Sequence, residues 1–83
     1  MDLKKKLIEG IEISLKAEKN PDLEMRKLFI ELLKEGYNRK QLDDDVTEYM
    51  LFLRKEGRER DEDWVLEAGT YLDGYCAPHM RID

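Results

Sequence analysis

The chain has 83 residues and a mass of 9.9 kDa, which is enough for one small domain over residues 1–83 but leaves no room for a second core. Charged residues make up 42% of it and apolar residues 41%, and no apolar run approaches the roughly 18 to 20 residues that cross a bilayer. The formal net charge is −5, which opposes generic attraction to nucleic acid. This composition excludes a membrane-spanning chain and predicts a small, folded, acidic domain.

The negative charge lies mainly in the second half of the chain. Up to Lys40 there are ten basic and eight acidic residues, and beyond it there are five basic and twelve acidic residues. Such a surface favours a basic partner through electrostatic complementarity. The chain has one cysteine and begins without a long apolar leader segment. The expected location is therefore the cytoplasm, where a single thiol stays reduced.

The first element is predicted to be a helix over residues 2–17. Its apolar residues recur at helical spacing along one stripe: Leu3, Leu7, Ile8, Ile11 and Leu15. From Ile11 to Ala17, however, apolar and polar residues also alternate as they do in a strand. No other segment provides a partner strand, so helix is the preferred interpretation and strand the alternative for this segment.

The second element is predicted to be a helix over residues 21–35. Asn20 is placed to cap its free N–H groups, and Pro21 suits the first helical position because a proline has no donor to lose there. Gly36 follows the apolar stripe and is a natural residue for a left-handed helix end.

The third element is predicted to be a helix over residues 39–56. Asn38 is its expected cap, with Gln41 three residues later in a variant of the capping box. Gly57 ends it. Its inward stripe contains Leu42, Val46, Tyr49, Met50 and Leu53. The connection to the second helix is short, which predicts an antiparallel helical hairpin.

The fourth element is predicted to be a helix over residues 62–74, with Asp61 as its cap. One face carries Trp64, Val65, Ala68, Tyr71, Leu72 and Tyr75. Pro78 prevents a simple continuation, so residues 75–83 form a tail that either lies on the bundle or is loose. The predicted fold class is all-α, a compact bundle of about four short amphipathic helices with a short irregular C-terminal tail.

Several large apolar residues fall outside the main stripes of these helices. They are Ile13, Ile30, Leu51, Phe52 and Leu66. One interpretation is a widened core face, and the other is an exposed patch that binds another chain. Leu51 is the strongest candidate for binding, because it lies roughly opposite the stripe that contains Leu42, Val46 and Leu53.

The leading functional hypothesis is a non-enzymatic protein-binding module, which would act as a regulator, adaptor or inhibitor. The predicted partner-binding residues are Asp43, Asp44, Asp45, Glu48, Leu51 and Phe52. Their charge suits a basic partner, for example a nucleic-acid-handling protein. The first alternative is a homodimeric structural module in which the same apolar residues contact a second copy.

A second alternative is a regulator that binds DNA. Residues 32–42 resemble the beginning of a helix-turn-helix motif, since an apolar helix is followed by a glycine turn and a capped helix with Arg39 and Lys40. The next residues, Asp43 to Asp45, are acidic where a basic recognition helix is needed. Nucleic acid is therefore not the expected partner.

Catalytic, cofactor and metal sites have little support in the sequence. Cys76 and His79 could supply two metal ligands, but a structural zinc site needs four, so a second chain or carboxylates would have to complete it. The aspartate triplet also fails as a calcium loop, because Glu48 stands where the turn glycine is required. Since no glycine-rich phosphate loop or nucleophile with its base is evident, no catalytic residue and no cofactor is predicted.

Overall fold

The computed structural model describes residues 2–74 and 78–82. The helices in this part of the chain are α1 (Leu3–Leu15), α2 (Pro21–Lys34), α3 (Arg39–Lys55) and α4 (Glu59–Asp73), with a short 3-10 helix at Pro78–Met80. These residues contain no strand, so the all-α prediction is confirmed. The strand alternative for residues 11–17 is wrong, because α1 continues through Leu15.

The core lies where α2 packs against α1 and α4, and where α3 packs against α4. The predicted antiparallel hairpin of α2 and α3 is wrong, because these two helices pack against α4 rather than along each other. The buried apolar residues of the core are Leu7, Ile11, Met25, Phe29, Leu32, Tyr37, Leu42, Val46, Leu53, Val65, Ala68, Tyr71, Leu72 and Ile82. All four helices contribute to it, which explains why each has a single inward stripe. None of the helices in residues 2–74 and 78–82 has the length and apolar character required to span a membrane.

Two helix ends follow the glycine signals in the sequence. Gly36 and Gly57 have positive φ angles of 103° and 72°, the left-handed region that glycine adopts without a Cβ clash. After Gly36, the Tyr37 N–H donates to the Leu32 carbonyl at 3.0 Å. After Gly57, the Arg58 N–H makes the equivalent bond to Leu53 at 3.0 Å. Both turns satisfy carbonyls that the helix ends leave open.

The cap of α3 is also as predicted, but the capping box is incomplete. The Asn38 side chain accepts a hydrogen bond from the Gln41 backbone N–H at 3.0 Å. The Gln41 side chain does not return to Asn38 and instead donates to Asp45 Oδ1 at 2.9 Å. A hydrogen bond one turn further along α3 therefore replaces the bond back to the cap residue.

The predicted cap at Asn20 is right in position but lacks its side-chain hydrogen bond, and the predicted cap at Asp61 is wrong. Asn20 adopts a left-handed conformation with φ of 51°, and its side chain makes no capping hydrogen bond to α2. Asp61 does not cap α4, because the helix begins at Glu59 and Arg58 is the residue before it. Asp61 lies instead in the first turn, where it accepts from Arg58 Nε at 2.8 Å and a negative charge favours the helix dipole.

The described part of the tail lies on the bundle. Ile82 is 2% exposed, and its N–H donates to the Tyr71 carbonyl at 2.9 Å. Arg26 Nε donates to the Met80 carbonyl at 2.8 Å, and Arg39 donates to the Ile82 carbonyl. Two arginines from α2 and α3 therefore hold residues 80–82 against the core.

Candidate functional site

The exposed apolar residues separate the two interpretations left open by the sequence. Ile30 is partly buried and packs against the core, so for this residue the interaction interpretation is wrong. The other four are exposed, from 45% for Phe52 to 70% for Ile13, with Leu51 and Leu66 between them. A large apolar residue left in water forgoes the free energy of burial, which makes such positions candidates for binding.

One of these residues, Phe52, lies in a groove between α1 and α3. The walls of this groove, which we call the α1/α3 groove, are formed by Ile8 on α1 and by Tyr49 and Phe52 on α3, around a volume of about 300 Å³. The two aromatic rings have centroids 5.4 Å apart and are tilted by 34°. The groove therefore offers a pre-formed apolar surface.

One end of the groove carries an open ion pair. Lys4 Nζ lies 3.4 Å from Glu48 Oε1 and 3.9 Å from Asp45 Oδ1. The Glu48 side chain is 70% exposed and that of Lys4 is 46% exposed. An exposed pair at these distances contributes little to stability. Because both side chains are exposed and only weakly paired, both are accessible to another charged group.

Asp45 is held rigidly beneath this ion pair. Its side chain is 5% exposed, and Tyr37 Oη donates to Oδ2 at 2.5 Å while Gln41 Nε2 donates to Oδ1. Burial raises the pKa of Tyr37, and the hydrogen bond to Asp45 raises it further, so Tyr37 keeps the proton that it donates. A buried carboxylate with two donors is a structural group.

A network around Glu12 adjoins the groove through Tyr49, which lines it. Arg58 donates from Nη2 to Glu12 Oε1 at 2.9 Å and from Nη1 to Oε2 at 3.1 Å, and Tyr49 Oη also donates to Glu12. Arg58 Nε donates to Asp61 as well. Burial raises the pKa of Tyr49 to about 12, with the Glu12 carboxylate adding to the effect. Both oxygens of Glu12 are therefore occupied.

This network predicts a loss of stability in acid. Hydrogen bonds from Arg58 hold the pKa of Glu12 below its ordinary value of 4.5. A carboxyl whose folded pKa is lowered stabilises fully above its unfolded pKa, and the contribution disappears as the pH falls through the folded value. We expect Glu12→Gln to cost about 1 to 2 kcal/mol at pH 7 and progressively less below pH 4.5, measured by urea unfolding at several pH values.

Arg58→Met provides the control for this prediction. In the Arg58→Met background the donor is absent, so Glu12→Gln should change the free energy of unfolding by nearly the same small amount at every pH. A cost of Glu12→Gln in the wild-type background that does not diminish in acid would show that the ion pair is not its source.

The structure brings together only part of the predicted partner-binding surface. Glu48 and Phe52 line the α1/α3 groove, and Asp45 lies at its base, buried rather than exposed. Leu51 is exposed but is turned about 100° around α3 from Phe52, and Asp44 lies on the outer side with it. Lys4, Ile8 and Tyr49 also line the groove, although none of them was predicted as a partner-binding residue.

Asp43 lies apart from the groove. It lines a separate shallow cleft with Asn38, Arg39, Lys40 and Leu72. Burial raises its pKa, and the neighbouring charges of Asp73 and Asp44 add to the effect. Asp43 therefore does not form one continuous contact surface with the groove residues Asp45 and Phe52.

The helix-turn-helix resemblance places Arg39 and Lys40 at the start of α3. The Arg39 guanidinium donates to the carbonyls of Leu72 and Ile82, so it holds α4 and the tail together. Lys40 is exposed. Of the two basic residues that carried the resemblance, one therefore has a structural role.

The described residues contain no group of three His, Cys, Asp or Glu side chains arranged to hold a metal ion. Cys76 lies outside the described residues, so the predicted pair of Cys76 and His79 is not addressed by the structure.

Comparison of the chain with protein-family models, with curated proteins and with solved structures gave no match. The assignment of function consequently depends on the geometry of the α1/α3 groove and on its charges.

Proposed function

We propose that this protein is a non-enzymatic protein-binding module and that the α1/α3 groove is its contact surface. The observation that supports this most is Phe52, which is 45% exposed beside Ile8 and Tyr49 in a pre-formed apolar groove. A partner that inserts an apolar side chain there removes both surfaces from water, a gain of roughly 25 cal/mol per Å² before the costs of association. Such a module acts as a regulator, adaptor or inhibitor by occupying part of its partner.

The partner that fits the groove best is basic. Asp45 and Glu48 line the groove beside its apolar walls and pair with Lys4. Glu12 and Asp61 pair with Arg58 in the network that adjoins the groove at Tyr49. Electrostatic complementarity to such a site favours a Lys- or Arg-rich protein segment. A nucleic-acid-handling protein is one class with this property. The proposal includes a cytoplasmic location, which the single cysteine favours.

Affinity capture with matched serine variants tests the proposal. Tagged wild-type protein, Phe52→Ser and Leu66→Ser are used to capture partners from a lysate of the native source, with nuclease added. Phe52 lines the groove, and Leu66 is an exposed apolar residue on α4 that does not line it. We expect Phe52→Ser to reduce recovery of a stoichiometric partner at least tenfold, and Leu66→Ser to leave it within about twofold.

Other outcomes point to the alternatives. A partner retained equally by both variants would contradict the groove as the contact surface. Light scattering that gives a dimer for the wild type and a monomer for Phe52→Ser would assign the groove to a second copy of the chain. Recovery that disappears with nuclease would favour the DNA-binding alternative.

A further inference from the structure

The charges that line the α1/α3 groove near Glu48 and those that adjoin it near Glu12 differ in how firmly they are paired. Near Glu12, one guanidinium bonds both carboxylate oxygens within 3.1 Å. Near Glu48, a single lysine reaches one exposed carboxylate at 3.4 Å and a buried one at 3.9 Å. An incoming cation therefore meets a saturated site near Glu12 and a weakly held one near Glu48.

Lys4 is also the basic residue that lines the apolar groove itself. Its ammonium group neutralises part of the negative charge of Asp45 and Glu48, on a flexible side chain that is 46% exposed. Asp45 cannot turn away, because Tyr37 and Gln41 hold its two oxygens. The Asp45 carboxylate is thus held in place by groups other than Lys4.

We infer that Lys4 occupies the position of a partner cation, and that the groove selects a helical segment with an apolar side chain and a Lys or Arg one turn away. The inference rests on the proposed function. Glu48 and Phe52 are four residues apart on α3, about one helical turn. A partner helix that matches both carries its cation and its apolar side chain at the same spacing. Lys4 must leave the carboxylates when this cation arrives, so it lowers the affinity of the site.

The test uses the full chain labelled with ¹⁵N and three synthetic amphipathic peptides about four turns long. All three peptides have leucines along the same stripe. The remaining positions are Lys in the first peptide, Gln in the second and Glu in the third. We expect the Leu/Lys peptide to shift the amides of Ile8, Tyr49 and Phe52, and to bind more tightly than the Leu/Gln peptide. The Leu/Glu peptide should leave these amides unshifted.

Two variants should change the affinity for the Leu/Lys peptide in opposite directions. Lys4→Gln should tighten binding about two- to fivefold, and Glu48→Gln should weaken it by a similar factor, as expected for exposed ion pairs. Lys5→Gln is the matched control for Lys4, since Lys5 is an exposed lysine on α1 and its loss changes the net charge equally. Lys5→Gln should change the affinity less than Lys4→Gln does.

Three results would overturn the inference. If the Leu/Gln and Leu/Lys peptides bind the groove equally tightly, the inferred cation site is wrong, whereas the proposed function still stands. If Lys4→Gln and Lys5→Gln change the affinity for the Leu/Lys peptide equally, the change comes from the net charge of the protein and not from the position of Lys4. If no peptide shifts the groove amides, the inference fails, and the capture experiment with Phe52→Ser then shows whether the proposed function fails with it.

Discussion

Phe29→Ala is expected to lower the free energy of unfolding by about 3 to 5 kcal/mol. Phe29 is fully buried in the core on α2. Its removal loses the transfer free energy of the ring and leaves a cavity that the packed helices cannot fully close. Small domains are stable by about 5 to 15 kcal/mol, so the variant should contain a measurable unfolded fraction in thermal or urea unfolding followed by circular dichroism.

Phe52→Ala is the matched control, because it makes the same chemical change at an exposed position. Phe52 is about half exposed and contacts the ring of Tyr49, so we expect a loss of no more than about 1.5 kcal/mol. Similar losses for both variants would mean that Phe52 is a core residue in solution. The groove would then lose the side chain on which the proposed function depends.

Ile82→Ala is expected to cost about 2 to 4 kcal/mol, although Ile82 is the last residue that the structure describes. Ile82 is almost completely buried, and its backbone is bonded to Tyr71 and Arg39. Loss of its side chain leaves a cavity in the core and weakens the attachment of the tail to the helix bundle. Urea unfolding gives the change in free energy, and amide exchange should show faster exchange near Tyr71.

Ile13→Ala is the control for Ile82→Ala. Ile13 has the same side chain, lies on α1 and is 70% exposed, so its truncation should change the free energy of unfolding by less than about 0.5 kcal/mol. A negligible effect of Ile82→Ala in the same assay would show that the tail is not anchored in solution.

The local features of the fold were predictable because their signals are local. Helical spacing identified the four helices, and Gly36 and Gly57 marked ends where the left-handed conformation was needed. At the start of α4, a group from a distant helix competed with the local signal. The α4 start was misplaced at Asp61, whereas Arg58 precedes the helix and reaches Asp61 and Glu12 together.

The candidate site was only partly predictable for the same reason. Phe52 and Glu48 were identified from their own helix, since both fall outside the inward stripe of α3. Ile8 and Lys4 were not, because they belong to α1 and contribute to the site only when α1 lies beside α3. Asp45 was taken for a surface charge, and its burial depends on hydrogen bonds from Tyr37 and Gln41.

The sequence by itself determined the helical class, the approximate helix bounds and the inward stripes, because backbone conformation and amphipathic spacing are properties of neighbouring residues. Only the tertiary structure decided which apolar residues remain exposed, which carboxylates are neutralised and where the tail lies. Those properties depend on which helix faces which, and packing sets that through contacts between residues far apart in the chain, as Glu12 and Arg58 illustrate.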